Sequence, residues 1–437
     1  MQYSFFNIVF LAIALSSSGA IANAKPIGSA DQQDIEAQPV SRCASANPNR
    51  NPNTQTVGAA YVITNGSNGN KVVAMDIGSD GLLSSVNTVD AGGNGAHGAD
   101  TTFGPGPLFS QGAVTVNDAN NILVTVNSAS NTVAMFNIDP TDPSNLSAVG
   151  SPVPSGGEFP VSVAINKKGT VACILNGGQV NGVNCFTVDK TKGLVAKPNT
   201  LRSLGLIQTT PPTGPAGSVS QIIFSDDESK LFASVKGASS TPGFVATWDI
   251  SPADGSLSAQ PVKSTSANGL EPFGMSPIPK TNALLVADAS AGFDVFDFGS
   301  SKASSKASSA STTSISGQGA TSRVAFSPKI GNFYLSDPVT SLITELNVDK
   351  NLKGTVVKQH ALQDASSAPL DLAVATIGGK DFLYVLTGNT TSVDVLSLTQ
   401  AGAAQSVDVF NFGTALQTGE FSTALAFNLQ GMAIFMC

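Results

Sequence analysis

Three glutamates and one arginine stand at the beginnings of short apolar runs, where their side chains could do chemistry together. Glu158, Glu271 and Glu420 each come just before such a run, and Arg323 opens the run RVAFS. Carboxylates held close together can act as a general acid and a general base, or they can bind a cation such as Ca²⁺. The alternative is that these carboxylates lie in water, with Arg323 paired to one of them.

The sequence offers few other reactive arrangements. Two histidines and four cysteines are too few for a zinc site built from a dense Cys/His cluster. No Gly-x-Ser-x-Gly motif lies between a strand and a helix, where a nucleophilic serine would be. No helices follow the Gly-rich turns, as a dinucleotide site requires. Apart from the open possibility that the glutamates bind a cation, the sequence therefore predicts no metal and no cofactor.

The elements that must position these side chains are short strands. Alternating apolar runs separated by Gly, Asn, Asp and Pro indicate an all-β chain. A triplet of a large apolar, a polar and a second apolar residue recurs seven times at spacings of 48 to 62 residues. Such a period is typical of a β-propeller, in which a ring of blades buries both faces of each sheet. Seven blades are predicted from Met75-Asp76-Ile77, Phe136-Asn137-Ile138, Phe186-Thr187-Val188, Trp248-Asp249-Ile250, Phe296-Asp297-Phe298, Leu346-Asn347-Val348 and Leu396-Ser397-Leu398.

The predicted propeller is one domain over residues 58–437, closed by a C-terminal strand. The first unit lacks an inner strand, because residues 25–57 form a polar extension rich in Pro and Asn. Residues 424–427 offer that strand, and joining them to the first blade would remove the open edges of the ring. The run GMAIFM at 431–436 also has the pattern of a strand, and its place is left open. Residues 299–320 are expected to form a Ser-rich, flexible or O-glycosylated loop in place of an outer strand.

The N-terminus has the pattern of an export signal. An apolar run at residues 5–15 precedes Ala22-Asn23-Ala24, a small-x-small cleavage pattern, so residues 1–24 are predicted to be a signal peptide. No later stretch reaches eighteen apolar residues, and no membrane span is predicted. The mature chain is expected to be secreted or associated with the cell wall, and monomeric.

Export gives meaning to the sequons and cysteines. N-glycosylation is predicted at Asn65, Asn145 and Asn389, which lie in turn-like contexts. Cys173 and Cys185 flank turn residues between two alternating runs, so an antiparallel pairing places them opposite each other and predicts a disulfide. The remaining two cysteines, Cys43 and Cys437, lie near the ends of the mature chain. Either they pair and tie the termini together, or each is a free thiol.

The charge balance bears on the kind of partner. The chain has 437 residues, a net charge of −8 and only four arginines. Nucleic-acid binding needs a basic face, so a nucleic-acid partner is excluded.

The repeat resembles the seven-bladed propeller family of lactonases and carboxymuconate cyclases, and within it the secreted fungal proteins named 3-carboxymuconate cyclase. The resemblance covers about residues 58–436 and rests on the repeat, the signal peptide, the strand YVIT at 61–64, the Gly-Leu turns and TSRVAFSP at 321–328. It implies that His, Arg and Glu side chains at one mouth of the central channel bind and convert the substrate. The candidate mouth residues are therefore Arg323, Glu158, Glu271, Glu420 and His97, the last from a Gly-rich loop.

Two functions are compatible with this resemblance. Of the positions where the family's enzymes carry cations, only Arg323 is cationic here, and three mouth positions are Glu. Such a mouth would repel a substrate with three carboxylates, at about 1 kcal/mol for each uncompensated like charge. A binding role without catalysis is therefore expected, as an adhesin-like protein that contacts matrix or cell-wall components. The alternative is a lactonase or a carboxymuconate cyclase-type enzyme that acts at the channel mouth.

Overall fold

The computed structural model describes residues 54–100, 104–239, 241–299, 304–416 and 424–437. These residues form seven antiparallel sheets of four or five strands, arranged as the blades of a β-propeller. The predicted fold is therefore confirmed. No helix among the described residues is long and apolar enough to cross a membrane.

The strands follow one another blade by blade along the chain. Blade 1 contains β1 (Thr56–Ile63), β2 (Lys71–Gly78) and β3 (Leu83–Asp90). Blade 2 contains β4 (Val114–Asn117), β5 (Ile122–Asn127), β6 (Thr132–Asp139), β7 (Asp142–Ala148) and β8 (Val153–Pro154). Blade 3 contains β9 (Pro160–Ile165), β10 (Val171–Asn176), β11 (Gly182–Asp189), β12 (Gly193–Ala196) and β13 (Arg202–Ser203). Blade 4 contains β14 (Val219–Phe224), β15 (Lys230–Val235), β16 (Phe244–Asp249) and β17 (Val262–Ser264).

The second half repeats this order. Blade 5 contains β18 (Pro272–Ile278), β19 (Ala283–Asp288), β20 (Gly292–Asp297) and β21 (Ser309–Ser314). Blade 6 contains β22 (Arg323–Phe326), β23 (Phe333–Asp337), β24 (Leu342–Val348) and β25 (Gly354–Ala361). Blade 7 contains β26 (Pro369–Ile377), β27 (Lys380–Thr387), β28 (Ser392–Leu398) and β29 (Ala404–Asn411). The remaining elements are a 3₁₀ helix (Asp118–Asn120), the helices α1 (Gly413–Leu416) and α2 (Ala424–Asn428), and β30 (Gln430–Met436).

The C-terminal strand closes the ring, but it is not the predicted segment. Strand β30 pairs antiparallel with β1 from Gly58↔Met436 to Ile63↔Gln430, and becomes the inner strand of blade 1. The expected strand at 424–427 is wrong, because these residues belong to α2. The run at 430–436 matches nearly the whole length of β1, and its residues are buried or half-buried. Residues 424–428 are left as the connection that leads into it.

The Ser-rich segment of blade 5 contains a strand that the sequence analysis assigned to a loop. Strand β21 pairs with β20 over six residues, from Asp297↔Ser309 to Gly292↔Ser314. Its side chains are exposed or half-buried. An outer strand needs backbone hydrogen bonds on one side only, and Thr312 and Thr313 favour extended backbone, so an apolar face is not required.

The core lies between the blades, as the triplets predict. Each large residue of the seven triplets is at most 1% exposed, from Met75 in blade 1 to Leu396 in blade 7. Trp248, the only tryptophan, is fully buried. Burying a large apolar side chain contributes about 1.5–3 kcal/mol, so contacts between neighbouring blades stabilise the ring.

A disulfide joins the central strands of blade 3, as predicted. Cys173 and Cys185 are directly opposite in the pairing of β10 with β11 and are bonded, with their Cα atoms 4.0 Å apart. Cys437 is also disulfide-bonded, and Cys43, its predicted partner, lies outside the described residues.

Removing the blade 3 disulfide should destabilise the fold measurably. We expect the double variant Cys173→Ala/Cys185→Ala to lower the free energy of unfolding by about 3 kcal/mol, because a closed loop of this size restricts the unfolded chain. Urea denaturation of the wild type and the variant measures the difference. A loss smaller than about 1 kcal/mol would contradict a stabilising role for this bond.

Candidate functional site

One end of the propeller is built from the starts of the inner strands. Because the strands of a blade run antiparallel, the end of each second strand lies beside the start of its inner strand. Arg323 is the first residue of β22, Glu271 directly precedes β18, and Lys236 directly follows β15. Blades 4, 5 and 6 therefore bring these three side chains to the same end.

A cleft of about 200 Å³ opens between these side chains. Its polar wall contains Lys236, Glu271, Ser322 and Arg323, and its apolar lining includes Pro105, Phe109, Pro215, Phe273, Pro338 and Val339. A second cavity lies at the opposite end of β15, beside Lys230, Phe232 and Phe298. That cavity has about 30 Å³, which is room for little more than a water molecule.

Arg323 presents an unused donor group to the cleft. Its side chain is 3% exposed; Nε donates to Ser110 O at 3.3 Å and Nη1 to Ser322 Oγ at 3.0 Å. Among the described residues, Nη2 has no acceptor. Gly106 leaves the space in front of it, because a Cβ at that position would lie 3.1 Å from Nη2. This N–H group can therefore bind an anion that enters the cleft.

Lys236 is the second buried cation. It is 2% exposed, and Nζ donates to Phe109 O at 2.8 Å, to Val219 O at 2.9 Å and to Ser220 Oγ. Three acceptors match the three donors of an ammonium group, although burial lowers the pKa of Lys236 well below its usual value. The side chain therefore fixes the loop that carries Phe109 and brings positive charge to the cleft.

Phe273 contacts both cations with its ring. Its ring centre is 4.3 Å from the Lys236 ammonium and 4.7 Å from the guanidinium carbon of Arg323. The negative faces of an aromatic ring attract cations. Phe273 therefore holds the two charges near each other while excluding water from them.

Glu271 is the carboxyl group of the cleft. Its backbone N–H donates to Asp288 Oδ2 at 3.0 Å, which fixes its position. Its carboxylate accepts no hydrogen bond from the described residues. Burial and the charge of Asp288 raise the pKa of Glu271, while Lys236 lowers it. A half-buried carboxylate with a raised pKa is suited to accept a proton from water.

Asp371 provides the negative charge that faces Arg323 from within the propeller. It is 1% exposed, and its Oδ2 accepts from the Gly431 N–H at 2.7 Å. Burial raises the pKa of Asp371 and the charge of Arg323 lowers it. Yet neither Arg323 nor Lys236 has a carboxylate oxygen within 4.0 Å among the described residues. The positive charge of both cations is therefore directed to the cleft rather than neutralised by contact.

The lining of the cleft differs from the acidic mouth that the sequence analysis expects. Two cations and one carboxyl group line the cleft, where the sequence analysis counted one cation and three glutamates. The difference comes from Lys236, which directly follows a second strand and was not counted among the mouth residues. No group of three or more His, Cys, Asp or Glu side chains within the described ranges is arranged to hold a metal ion.

The other candidate carboxylates lie elsewhere. Glu158 is half-buried and its Oε2 accepts from Thr210 Oγ1, outside the lining of the cleft. Glu420 lies outside the described residues. Of the three predicted glutamates, Glu271 alone is placed by the structure in the cleft.

His97 supports the cleft wall without lining the cleft. Its ring stacks on Phe427 with the ring centres 4.5 Å apart, and it meets the edge of Phe109 at 6.1 Å. Its Nδ1 lies 2.9 Å from Gly98 O. Phe109 in turn borders the cleft, so His97 acts on the site through packing.

The three sequons differ in their surroundings. Asn145 and Asn389 are exposed, and glycosylation there stays a prediction. Asn65 is 1% exposed, and its Nδ2 donates to Asn428 O at 3.1 Å. This packing of Asn65 leaves no room for a glycan on the folded chain.

The comparisons with known proteins bear on the fold. The family model described as a lactonase seven-bladed β-propeller matches residues 51–202. No curated protein is a significant match. Among solved structures, a periplasmic gluconolactonase from Pseudomonas aeruginosa is 16% identical with a TM-score of 0.58, and the match covers 82% of this chain and 96% of that one.

Two further structures have the same architecture. A proposed 6-phosphogluconolactonase from Bacteroides fragilis is 13% identical with a TM-score of 0.56, over 80% of this chain and 94% of that one. A protein of unknown function from Desulfotomaculum acetoxidans is 14% identical with a TM-score of 0.57, over 87% and 99%. At these identities the likeness is one of fold. Residues 51–202 are therefore similar in sequence to the lactonase family of β-propellers, and the described chain has the seven-bladed fold of that family.

Proposed function

We propose that this protein hydrolyses a small lactone that carries an anionic group, in the cleft between Lys236, Glu271 and Arg323. The observation that carries the proposal is the pair of buried cations beside a half-buried carboxyl group with a raised pKa. The family match and the lactonases among the structures with this fold support the same choice over a binding-only role.

The cations would bind the substrate and stabilise the transition state. Nη2 of Arg323 has no acceptor among the described residues, so it can donate to a carboxylate or to the lactone carbonyl oxygen. Negative charge grows on that oxygen when water attacks, and donors fixed in a dry site stabilise it most. Lys236, whose ammonium lies 4.3 Å from the centre of the Phe273 ring, adds positive charge.

Glu271 would be the general base. Its carboxylate would take one proton from a water molecule as the water oxygen bonds to the lactone carbonyl carbon. The ring C–O bond then breaks, and the proton passes from Glu271 to the leaving alkoxide. One lactone and one water thus give one hydroxy acid, and Glu271 regains its charge.

The lining of the cleft favours a substrate with an apolar body. Apart from the two cations, the side chains with hydrogen-bonding groups in the lining are Ser322 and Glu271. Prolines, phenylalanines and Val339 form the remaining larger surface. A compact lactone with one anionic end fits this distribution of charge.

The test is a panel of lactones with and without a charge. Proton release at constant pH measures ring opening of carboxylated lactones and of their methyl esters, and ultraviolet loss of 3-carboxy-cis,cis-muconate measures the cyclase alternative. We expect kcat/KM to favour the carboxylated member of each pair by at least about tenfold. In Arg323→Lys this preference should shrink, because lysine keeps the charge but lacks the planar donors of arginine.

The outcomes of this panel distinguish lactone hydrolysis from muconate cyclisation and from a binding role without catalysis. Equal turnover of charged and neutral lactones would overturn the role of the cations in recognition. Turnover of the muconate alone would replace hydrolysis by cyclisation. No turnover of any substrate would overturn catalysis and leave the adhesin-like role expected from the sequence.

A further inference from the structure

Two buried carboxyl groups lie behind Glu271, outside the lining of the cleft. Asp288 ends β19 and is fully buried, and Asp294 in β20 is 1% exposed. They are close neighbours, because a Cβ added at Gly269 would lie 2.6 Å from Asp294 Oδ2 and 2.9 Å from Asp288 Oδ2. Two full negative charges so close to the same point in a buried site would repel each other strongly.

The two carboxyl groups differ in their hydrogen bonds. Asp288 accepts four: from the N–H and hydroxyl of Ser290 at 2.9 and 2.6 Å, and from the N–H groups of Ala291 at 3.1 Å and Glu271 at 3.0 Å. Asp294 Oδ1 accepts one, from Thr312 Oγ1 at 2.6 Å, while Asp294 Oδ2 has no donor within the described part of the chain. Asp288 is therefore the group stabilised as a carboxylate. Asp294 Oδ2 gains a partner if it carries a proton.

Blade 3 contains a neutral counterpart of this pair. In the pairing of β10 with β11, Asn176 faces Gly182, and Asn184 lies two residues after that glycine. Asp288 and Asp294 hold the same two positions around Gly292 in blade 5. Ser155 links the two amides of blade 3 by hydrogen bonds to Asn176 Oδ1 at 2.6 Å and from Asn184 Nδ2 at 3.4 Å. This place in the fold therefore accepts a pair of side chains that are both uncharged.

We propose that Asp288 and Asp294 hold one proton between them, and that this proton fixes the segment from Ser266 to Glu271. Oδ2 of Asp294 carries the proton and donates it to the Asp288 carboxylate. Asp288 accepts a hydrogen bond from the Glu271 N–H, and Asp294 accepts one from the Thr312 hydroxyl, which lies 2.6 Å from Ser266 Oγ. The hydrogen bonds of the pair therefore fix both ends of the segment that leads into the cleft.

The charged surroundings agree with this assignment. Burial, and next the charge of Asp288, raise the pKa of Asp294 to about 7. Thr312 on β21 and Ser266 before β18 face Asp294 with hydroxyl groups only. Beyond this pair the next carboxyl group is that of Glu271, and the charge of Lys236 lowers the pKa of Glu271. Loss of the proton near neutral pH adds a second buried charge and loosens the segment that positions Glu271.

The proton makes stability depend on pH with a definite sign. The folded chain keeps the Asp294 proton up to about pH 7, whereas an unperturbed Asp loses it near 3.8. Folding therefore binds one proton between these values, and stability falls as the pH rises. One proton changes the folding equilibrium constant by up to about tenfold per pH unit.

The test compares Asp294→Asn with the wild type by urea unfolding between pH 5 and pH 8. The variant gives blade 5 the uncharged group that Asn184 supplies in blade 3. In the wild type the folding equilibrium constant should change by close to tenfold per pH unit. We expect Asp294→Asn to lose this dependence on pH. Asp254→Asn is the matched control, because Asp254 is exposed and has a lowered pKa, and its curve should run parallel to that of the wild type.

A second measurement observes the proton itself rather than stability. The infrared difference between the wild type and Asp294→Asn should contain a buried carboxylic acid C=O band at pH 6 that disappears as the pH rises above 8. The subtraction removes the bands of Asp371 and Asp394, whose pKa values burial also raises. Equal slopes for the wild type and Asp294→Asn, or no such band, would overturn the shared proton. The role of the pair in positioning Glu271 rests on the proposed function, whereas both measurements are independent of activity and separate the two proposals.

Discussion

Glu271→Gln is expected to lower kcat for ring opening of an anionic lactone by about 10²–10⁴-fold, the range for loss of a general base. Glutamine has nearly the same size and keeps the backbone bond to Asp288, so binding by Arg323 and Lys236 should change little. The effect should therefore fall on kcat rather than on KM. Steady-state kinetics at a pH above the raised pKa of Glu271 measures both.

The control for this prediction is a glutamate that begins another blade. Glu158 precedes β9 much as Glu271 precedes β18, yet it bonds to Thr210 outside the cleft. Glu158→Gln should leave kcat within about twofold of the wild type. Equal losses in both variants would show that the effect comes from the charge of the rim rather than from proton transfer, and would contradict the role of Glu271.

The dependence of kcat/KM on pH tests the role of Glu271 as the general base independently. A general base works only when deprotonated, and burial raises the pKa of Glu271 above its ordinary value of 4.5. Activity should therefore fall as the pH drops through the raised pKa. A kcat/KM profile that is flat well below neutral pH would exclude Glu271 as the base.

The sequence predicts the ring of blades well because the repeat is carried by local patterns. Each large triplet residue, such as Phe136 or Trp248, packs between blades wherever the period places it. The opposed cysteines of blade 3 follow from local hairpin geometry in the same way. The closing strand was misplaced by a few residues because both candidate runs are apolar, and only the pairing with β1 chooses between them.

The site was harder to predict because its contacts are distant in sequence. Lys236 Nζ reaches the carbonyl of Phe109, which is 127 residues away. A signal was nevertheless present: the residues that end or follow the second strands are polar in blades 2 to 5, as Asn127, Asn176, Lys236 and Asp288. Only one of these four is a cation. Comparing the repeats at that position, rather than only at the strand starts, would have found it.

Lys236→Met is expected to cost about 2–5 kcal/mol of unfolding free energy, at about 1–3 kcal/mol for each buried acceptor that loses its donor. Methionine has a similar length but cannot donate, so the carbonyls of Phe109 and Val219 would be left without this partner in a buried place. Buried acceptors without a donor are costly. Urea denaturation compares the variant with the wild type.

Lys263 provides the matched control because it isolates the contact with an aromatic ring. Its ammonium lies 4.3 Å from the ring centre of Phe244, the same distance as Lys236 from Phe273, but Lys263 is exposed. Lys263→Met should cost less than about 1 kcal/mol. A similarly small loss for Lys236→Met would mean that its buried hydrogen bonds do not hold the Phe109 loop. The cleft would then keep its shape without this cation, and Lys236 would act only by attracting a charged substrate. In that case Lys236→Met would raise KM for carboxylated lactones more than for their esters.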